Sequence, residues 1–271
     1  MTNSEKIRRK ALSLGFDLCG IARCRSLERQ YDRFKNWLAD GCDGGLEYLR
    51  RNTGKRFDPG ALCEGARSVI VCGVGYHRPP SAHEVASRIA SYAHSRDYHL
   101  TIRERLNELS AYLRELVPGA SGRVFTDTAP LAEKSWAVEA GLGWIGRNSL
   151  LANPRLGSFL LLGEVVTTAE LEPDAPFVRD GCGTCRACVD ACPVAAIRPD
   201  RTIDAGRCIS RRTIETGDGD EGDLHGWLFG CDVCQRACPY NRKAPVSVHD
   251  SFAPLAELER LDVDDWLGLD E

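Results

Sequence analysis

Ile102, Leu106, Leu109, Leu113 and Leu116 recur at intervals of three and four, which predicts a helix over 99–117 with one face on a core. A shorter stripe of Ile7, Ala11, Leu12 and Leu14 predicts a helix over 4–14. Residues 16–22 then read as a strand, and a helix is expected through Phe34 and Trp37. Two runs have too few polar positions for either amphipathic pattern. These are 68–76 (SVIVCGVGY) and 158–167 (SFLLLGEVVT), read as buried strands, the first covered on both faces. The prolines of HRPPSAHE mark a loop after the first run. Residues 123–125 form a short predicted strand, and 130–140 a helix with proline in its first turn, where a missing N–H costs little.

This interleaving predicts a mixed α/β (α+β) domain over 1–170. With 271 residues and 43% hydrophobic content, the chain has room for one sizeable core and a small appended domain. No apolar run approaches the ~18 residues of a membrane span. ELEPDAPFVRD at 170–180 reads as a linker into a second domain over 171–245, and 246–271 as a short acidic tail.

The second domain carries the sharpest chemical signal. Residues 182–193 spell C-x2-C-x2-C-x3-C-P, and an incomplete copy follows with Cys231, Cys234 and Cys238 before Pro239. Such runs hold 4Fe–4S cubanes, with the fourth cysteine of one run serving the other cluster. Leu228 stands where the second copy lacks a cysteine, and Cys208 is the obvious replacement. One cluster is therefore assigned to Cys182, Cys185, Cys188 and Cys238, the other to Cys192, Cys208, Cys231 and Cys234, giving a ferredoxin-like domain that moves electrons singly. Structural zinc also uses C-x2-C pairs but fits four cysteines in a row ending in Cys-Pro less well. The polar start MTNSEKIRRK shows no export signal, so the 13 cysteines are expected as reduced thiols in the cytoplasm.

In the first domain the unusual stretch is TDTAPLAEKSWAVEAGLGWIGRNS at 126–149. Asp127 sits where a strand hands over to a helix, a place that suits both a helix N-cap and a general acid. Gly141, Gly143 and Gly146 permit tight turns and close approach to a ligand, or form a helix C-cap and turn. They follow a helix, so they are not a dinucleotide fingerprint. His99 reads as structural or exposed. Cys19, Cys24, Cys42, Cys63 and Cys72 lack ligand-like spacing, and Cys72 is expected in the core.

Net charge is −4, but acids concentrate in 213–223 and 251–271. Basic clusters at Arg8-Arg9-Lys10, Arg50-Arg51, Lys55-Arg56, Arg211-Arg212 and Arg242-Lys243 leave a basic body. That distribution suits a polyanionic substrate and equally suits ordinary solvated faces.

Together, SRDYH (95–99), Asp127-Thr128-Ala129-Pro130, AGLGWIG (140–146), GSFLLLGEV (157–165), the cysteine runs, DAGRCIS (204–210) and TIE (213–215) resemble the epoxyqueuosine reductases. The resemblance covers most of 10–245. It implies cobalamin bound in the α/β domain and two 4Fe–4S clusters in the ferredoxin-like domain. The implied activity is removal of the epoxide oxygen of epoxyqueuosine in a tRNA anticodon loop. It places the family's catalytic aspartate at Asp127, and implies cobalamin-side positions at Arg56, Asn148, Ser149, Ser158, Ser210 and Asp232. An external donor of the flavodoxin or ferredoxin type is expected to supply electrons to a monomer. Arg211 and Arg212 replace the apolar pair usual after the CIS motif, which changes the substrate-facing surface or adds phosphate contacts. Many members carry a helical-repeat extension, whereas this sequence stops at Glu271, so a shortened tail is expected. The competing readings are a corrinoid reductase of another substrate, such as a reductive dehalogenase relative, and a two-cluster electron carrier.

Overall fold

The computed structural model describes residues 1–215, 222–258, 260–262 and 265. Most of the acidic loop at 216–223 and much of the acidic tail lie outside the described residues. The chain opens with α1 (Asn3–Ser13), which begins there because Thr2 and Glu5 form a reciprocal capping box. It continues through β1 (Leu18–Arg23), α2 (Glu28–Ala39), α3 (Glu47–Arg50), β2 (Ser68–Gly75), α4 (Glu84–Ser87) and α5 (Tyr98–Leu116). Next come β3 (Gly122–Phe125), α6 (Glu133–Glu139), β4 (Trp144–Ile145), β5 (Leu151–Ala152) and β6 (Leu160–Thr167). The cysteine-rich part holds α7 (Ala187–Ala191), α8 (Ile209–Ile214), α9 (Val233–Arg236) and α10 (Pro239–Lys243).

Four strands form an antiparallel sheet in the order β1-β2-β6-β3. β2 is buried at every position, as its unbroken apolar run predicts, because helices cover both faces of the sheet. On one face Ile7 and Ala11 of α1, with Ile102, Leu106 and Leu109 of α5, pack on Ile70, Cys72 and Val165. On the other, Trp136 and Ala137 of α6, with Phe57, meet Val69, Val71, Leu162 and Val166. Each leucine buried this way contributes about 2 kcal/mol of transfer free energy.

One element departs from the periodicity. The helix expected over 130–140 starts only at Glu133. Its first residues are held in a loop instead: the Leu131 N–H donates to Ala129 O, and the Ala132 N–H to Arg56 O at 2.8 Å. The linker is also closely packed. Asp174 accepts from the Ile21 N–H and pairs with Arg8, and the Phe177 N–H reaches Val138 O.

The cysteine-rich part is joined to the sheet by buried polar groups. Asn241 accepts from the Ser158 N–H at 2.6 Å and donates to Ser158 Oγ at 3.0 Å and Gln235 O at 2.7 Å. Ser158 Oγ in turn donates to Gln235 Oε1 at 3.1 Å. A second seam forms where the Ser91 N–H and hydroxyl both donate to buried Asp232, at 2.8 and 2.6 Å. Among the described residues no helix is long and apolar enough to cross a membrane.

Candidate active site

A cleft of about 1140 Å³ opens over the α6 face of the sheet. That exceeds the roughly 300–1,000 Å³ of most small-ligand sites. Phe34, Trp37, Phe57, Leu160 and Leu162 supply apolar wall, while Arg56, Asp127, Glu133, Lys134, Asn148 and Ser149 supply polar groups. Burial pushes the Arg56 guanidinium below its ordinary range, and its Nε has no partner among the described residues. Lys134 opens into the cleft and donates to Ser149 O at 2.8 Å. The protein ringing it lowers its pKa by desolvation.

Asp127 lies just beyond the end of β3 with φ of 53°, a left-handed conformation that costs a non-glycine residue of order 1 kcal/mol. It is not a helix cap. α6 starts six residues later, at Glu133, and its N-cap position is Ala132, without a side-chain cap. The Asp127 N–H instead donates to Glu133 Oε1 at 2.5 Å, leaving its carboxylate free to face α5. There the Tyr98 hydroxyl donates to Asp127 Oδ2 at 3.2 Å, and His99 Nε2 approaches the same oxygen at 3.3 Å.

The first turn of α5 aims both rings. Asp97 caps the helix by accepting from the His99 N–H and holds His99 Nδ1 at 2.7 Å. With Nδ1–H given to Asp97, Nε2 meets Asp127 through its lone pair unless a proton lies between them. Burial, then the Asp127 charge, push the Tyr98 phenol far up, so it remains a hydrogen-bond donor. His99, which the sequence alone read as structural or exposed, is brought against Asp127 by α5.

The glycines after α6 allow close packing of the chain on itself. A Cβ on Gly143 would collide with Ala152 O, and one on Gly146 would lie 2.8 Å from Asn148 Oδ1. Gly141, with φ of 76°, follows the end of α6. Of the implied cofactor-side residues, Arg56, Asp127, Asn148 and Ser149 line the cleft. Ser158 and Asp232 are instead consumed in the buried seams, and Ser210 lies in α8 outside the lining. Arg211 turns back to donate to Gly44 O.

The eight motif cysteines, none in a disulfide, gather in two neighbourhoods. Burial, then the charges of Cys182, Cys238 and Cys185, push Cys188 up, and Cys238 is near Cys182 and Cys185 in turn. In the other group burial raises Cys208, next to Cys192. Cys231 is raised to about 11 by burial, with Cys208 and Cys192 beside it. Cys234 is pushed further by burial and by Cys231 and Cys208. Thiols that repel one another in poorly solvated sites ionise only when a positive centre joins them, so the donor set fits iron–sulfur clusters. Cys185 is exposed and Cys234 is closely surrounded, so the first group faces solvent and the second lies deeper. α8 is flanked by Cys208 at its N-cap and Glu215 at its C-cap; Glu215 lines the cleft and accepts from Tyr48 Oη at 3.3 Å.

Comparison with known proteins agrees with this layout. The family described as epoxyqueuosine reductase QueG, DUF1730, matches residues 56–128, and the 4Fe-4S double cluster binding domain matches 181–241. An epoxyqueuosine reductase of Cyclobacterium marinum is 42% identical over 95% of this chain and 85% of its own length. This chain belongs to the epoxyqueuosine reductase family. A solved epoxyqueuosine reductase with an epoxyqueuosine-modified tRNA-Tyr stem loop superposes at TM-score 0.84. That match is 28% identical and covers 94% of this chain and 69% of the other. The Bacillus subtilis epoxyqueuosine reductase, solved with its catalytic aspartate loop swung out of the active site, also gives 0.84, at 27% identity, covering 93% and 69%. Membership makes the chain an oxidoreductase with a mixed α/β body and a double-cluster domain.

Proposed function

We propose that this chain reduces epoxyqueuosine in tRNA to queuosine, with Asp127 as the proton donor to the departing epoxide oxygen. The observation that carries the reading is the convergence of Tyr98 and His99 on one carboxylate oxygen of Asp127 at the mouth of a corrin-sized cleft. Cobalamin is the group proposed for that cleft, and when bound it supplies the low-valent cobalt that reductive opening of a C–O bond needs. Arg56, Asn148 and Ser149 would hold it, Arg56 through a buried Nε that no side chain satisfies.

Deoxygenating an epoxide consumes electrons and protons together. Cys182, Cys185, Cys188 and Cys238 would hold one cluster, where exposed Cys185 leaves it open to an external electron donor. Cys192, Cys208, Cys231 and Cys234 would hold the other, beside α8 and the cleft, and the two together would supply electrons singly. Tyr98 and His99 orient the Asp127 carboxyl and hold the proton until the oxygen leaves. Lys and Arg around the cleft, among them Arg33, Arg51 and Arg201, suit contacts to the phosphates of a splayed anticodon loop.

The test is mass spectrometry of nucleosides from epoxyqueuosine-containing tRNA incubated anaerobically with reconstituted protein and a reductant. Queuosine is expected with the native chain. Asp127→Asn should retain iron and corrin absorbance while losing most turnover, and native turnover in that variant would remove Asp127 from the donor role.

A further inference from the structure

Directly behind Asp127 stands an acid that the reaction just described does not use. Glu164 lies in the middle of β6, paired in register with Val71 on one side and Phe125 on the other. It is fully buried, and neither carboxyl oxygen finds a donor among the described residues. Its side chain shares the α6 face of the sheet with Leu162 and Val166, and meets the carboxyl of Glu133. Glu133 in turn accepts the Asp127 N–H at 2.5 Å. Two carboxylates supply no donor to each other, and an unpaired charge in the middle of a sheet costs several kcal/mol. Contact between them therefore requires a proton.

We propose that Glu133 and Glu164 form a carboxyl pair sharing one proton, and that this pair is the positioning device that holds Asp127 in its left-handed backbone conformation. The proposal rests on the reading of Asp127 as proton donor. Glu164, the protonated partner, donates to Glu133, and Glu133 spends its other lone pairs on the Asp127 N–H. The strained loop is thus tied to the central sheet through two side chains.

The groups facing the pair are consistent with this protonation. Burial, then Glu133, hold the Glu164 proton well above the usual carboxylate range, and Asp127 adds to the effect. Burial also pushes Glu133 up to about 7, with the Asp127 N–H and Lys134 opposing and the Asp127 charge reinforcing. Tyr98 on α5 faces Glu133 as a neutral phenol whose own ionisation it disfavours, and Cys72, on the far face of the sheet, is likewise held neutral by burial.

Infrared spectroscopy reads the proton directly. At pH 8, where ordinary glutamates are ionised, the native protein should show a protonated-carboxyl band that shifts in D2O and is missing from Glu164→Gln. The same band should persist in Asp127→Asn, so the pair is tested independently of the donor role. Glu133→Ala, assayed as reconstituted enzyme, should lose kcat at least tenfold with little change in KM. Glu133→Gln keeps an oxygen for the Asp127 N–H and should recover most of that loss. Absence of the band in the native protein overturns the proposal, as does native kcat in Glu133→Ala or a folded Glu133→Gln no better than Glu133→Ala. Should Glu133→Ala not fold, the native band and the Glu133→Gln rate decide. Native turnover by Asp127→Asn with the band intact would remove the donor reading and leave the pair standing.

Discussion

The indole N–H of Trp144 points at the sulfur of Cys182, 3.3 Å away. Trp144 is itself fixed by Tyr240 at 4.9 Å in an edge-on contact and by Phe177 at 5.7 Å in a stack. Hydrogen bonds to cluster sulfurs stabilise the reduced, more negative state and raise the potential. Trp144→Phe keeps the packing and deletes the donor. Its Cys182-side cluster should titrate at a more negative potential by EPR-monitored redox titration, with the other cluster unchanged.

The place of Cys208 can be checked by metal content. Cys208→Ser should lower bound iron to about half and remove one of two EPR signals, since a cubane short of a thiolate is poorly retained. Cys24→Ser, whose thiol burial pushes up to about 11 beside Asp58 and Cys63, should leave iron unchanged.

Tyr98→Phe removes one of the two groups that meet on Asp127 Oδ2. A hydrogen bond to a charged acceptor is worth about 1.5–3 kcal/mol, so kcat should fall by roughly tenfold or more. KM for tRNA should change little, because the phenol touches the acid and not the nucleic acid backbone. Steady-state kinetics separates the two constants.

The Glu133 carboxyl also predicts a pH dependence of stability. Its folded pKa is raised from the ordinary 4.5 to about 7, so the folded state binds the extra proton. The stability this contributes is complete below about 4.5 and is lost as pH rises through about 7. Glu133→Gln cannot titrate, so its thermal midpoint should fall less steeply than the native one across this window in anaerobic calorimetry.

Much of this architecture was readable from spacing. The leucine stripe gave α5 within a residue at either end, and the apolar run gave β2, because burial imposes those periods directly. The cysteine runs pointed to a double-cluster domain, since ligand spacing is itself the chemistry. What failed was local. Pro130 signalled a helix start, but a hydrogen bond from the Ala132 N–H to Arg56 O and one from the Leu131 N–H to Ala129 O hold 129–132 as a loop. Of the two readings of the glycines after α6, the turn is visible: Gly143 makes room for Ala152 O and Gly141 takes a positive φ at the helix end. His99 and Glu133 act through contacts distant in sequence, which periodicity does not encode. Glu164 did leave a trace: a single acid inside SFLLLGEVVT is a polar residue in a strand that should bury it, and such a residue needs a partner.

Ser158, Gln235 and Asn241 close a buried polar knot between the sheet and the short helices at Cys234 and Cys238. Tunnelling rates decay exponentially with separation, so thermal breathing across a loose joint would make electron delivery erratic. The knot pins the metal-bearing half to the cleft like a dowel, and the span an electron must cross becomes a fixed property of the fold.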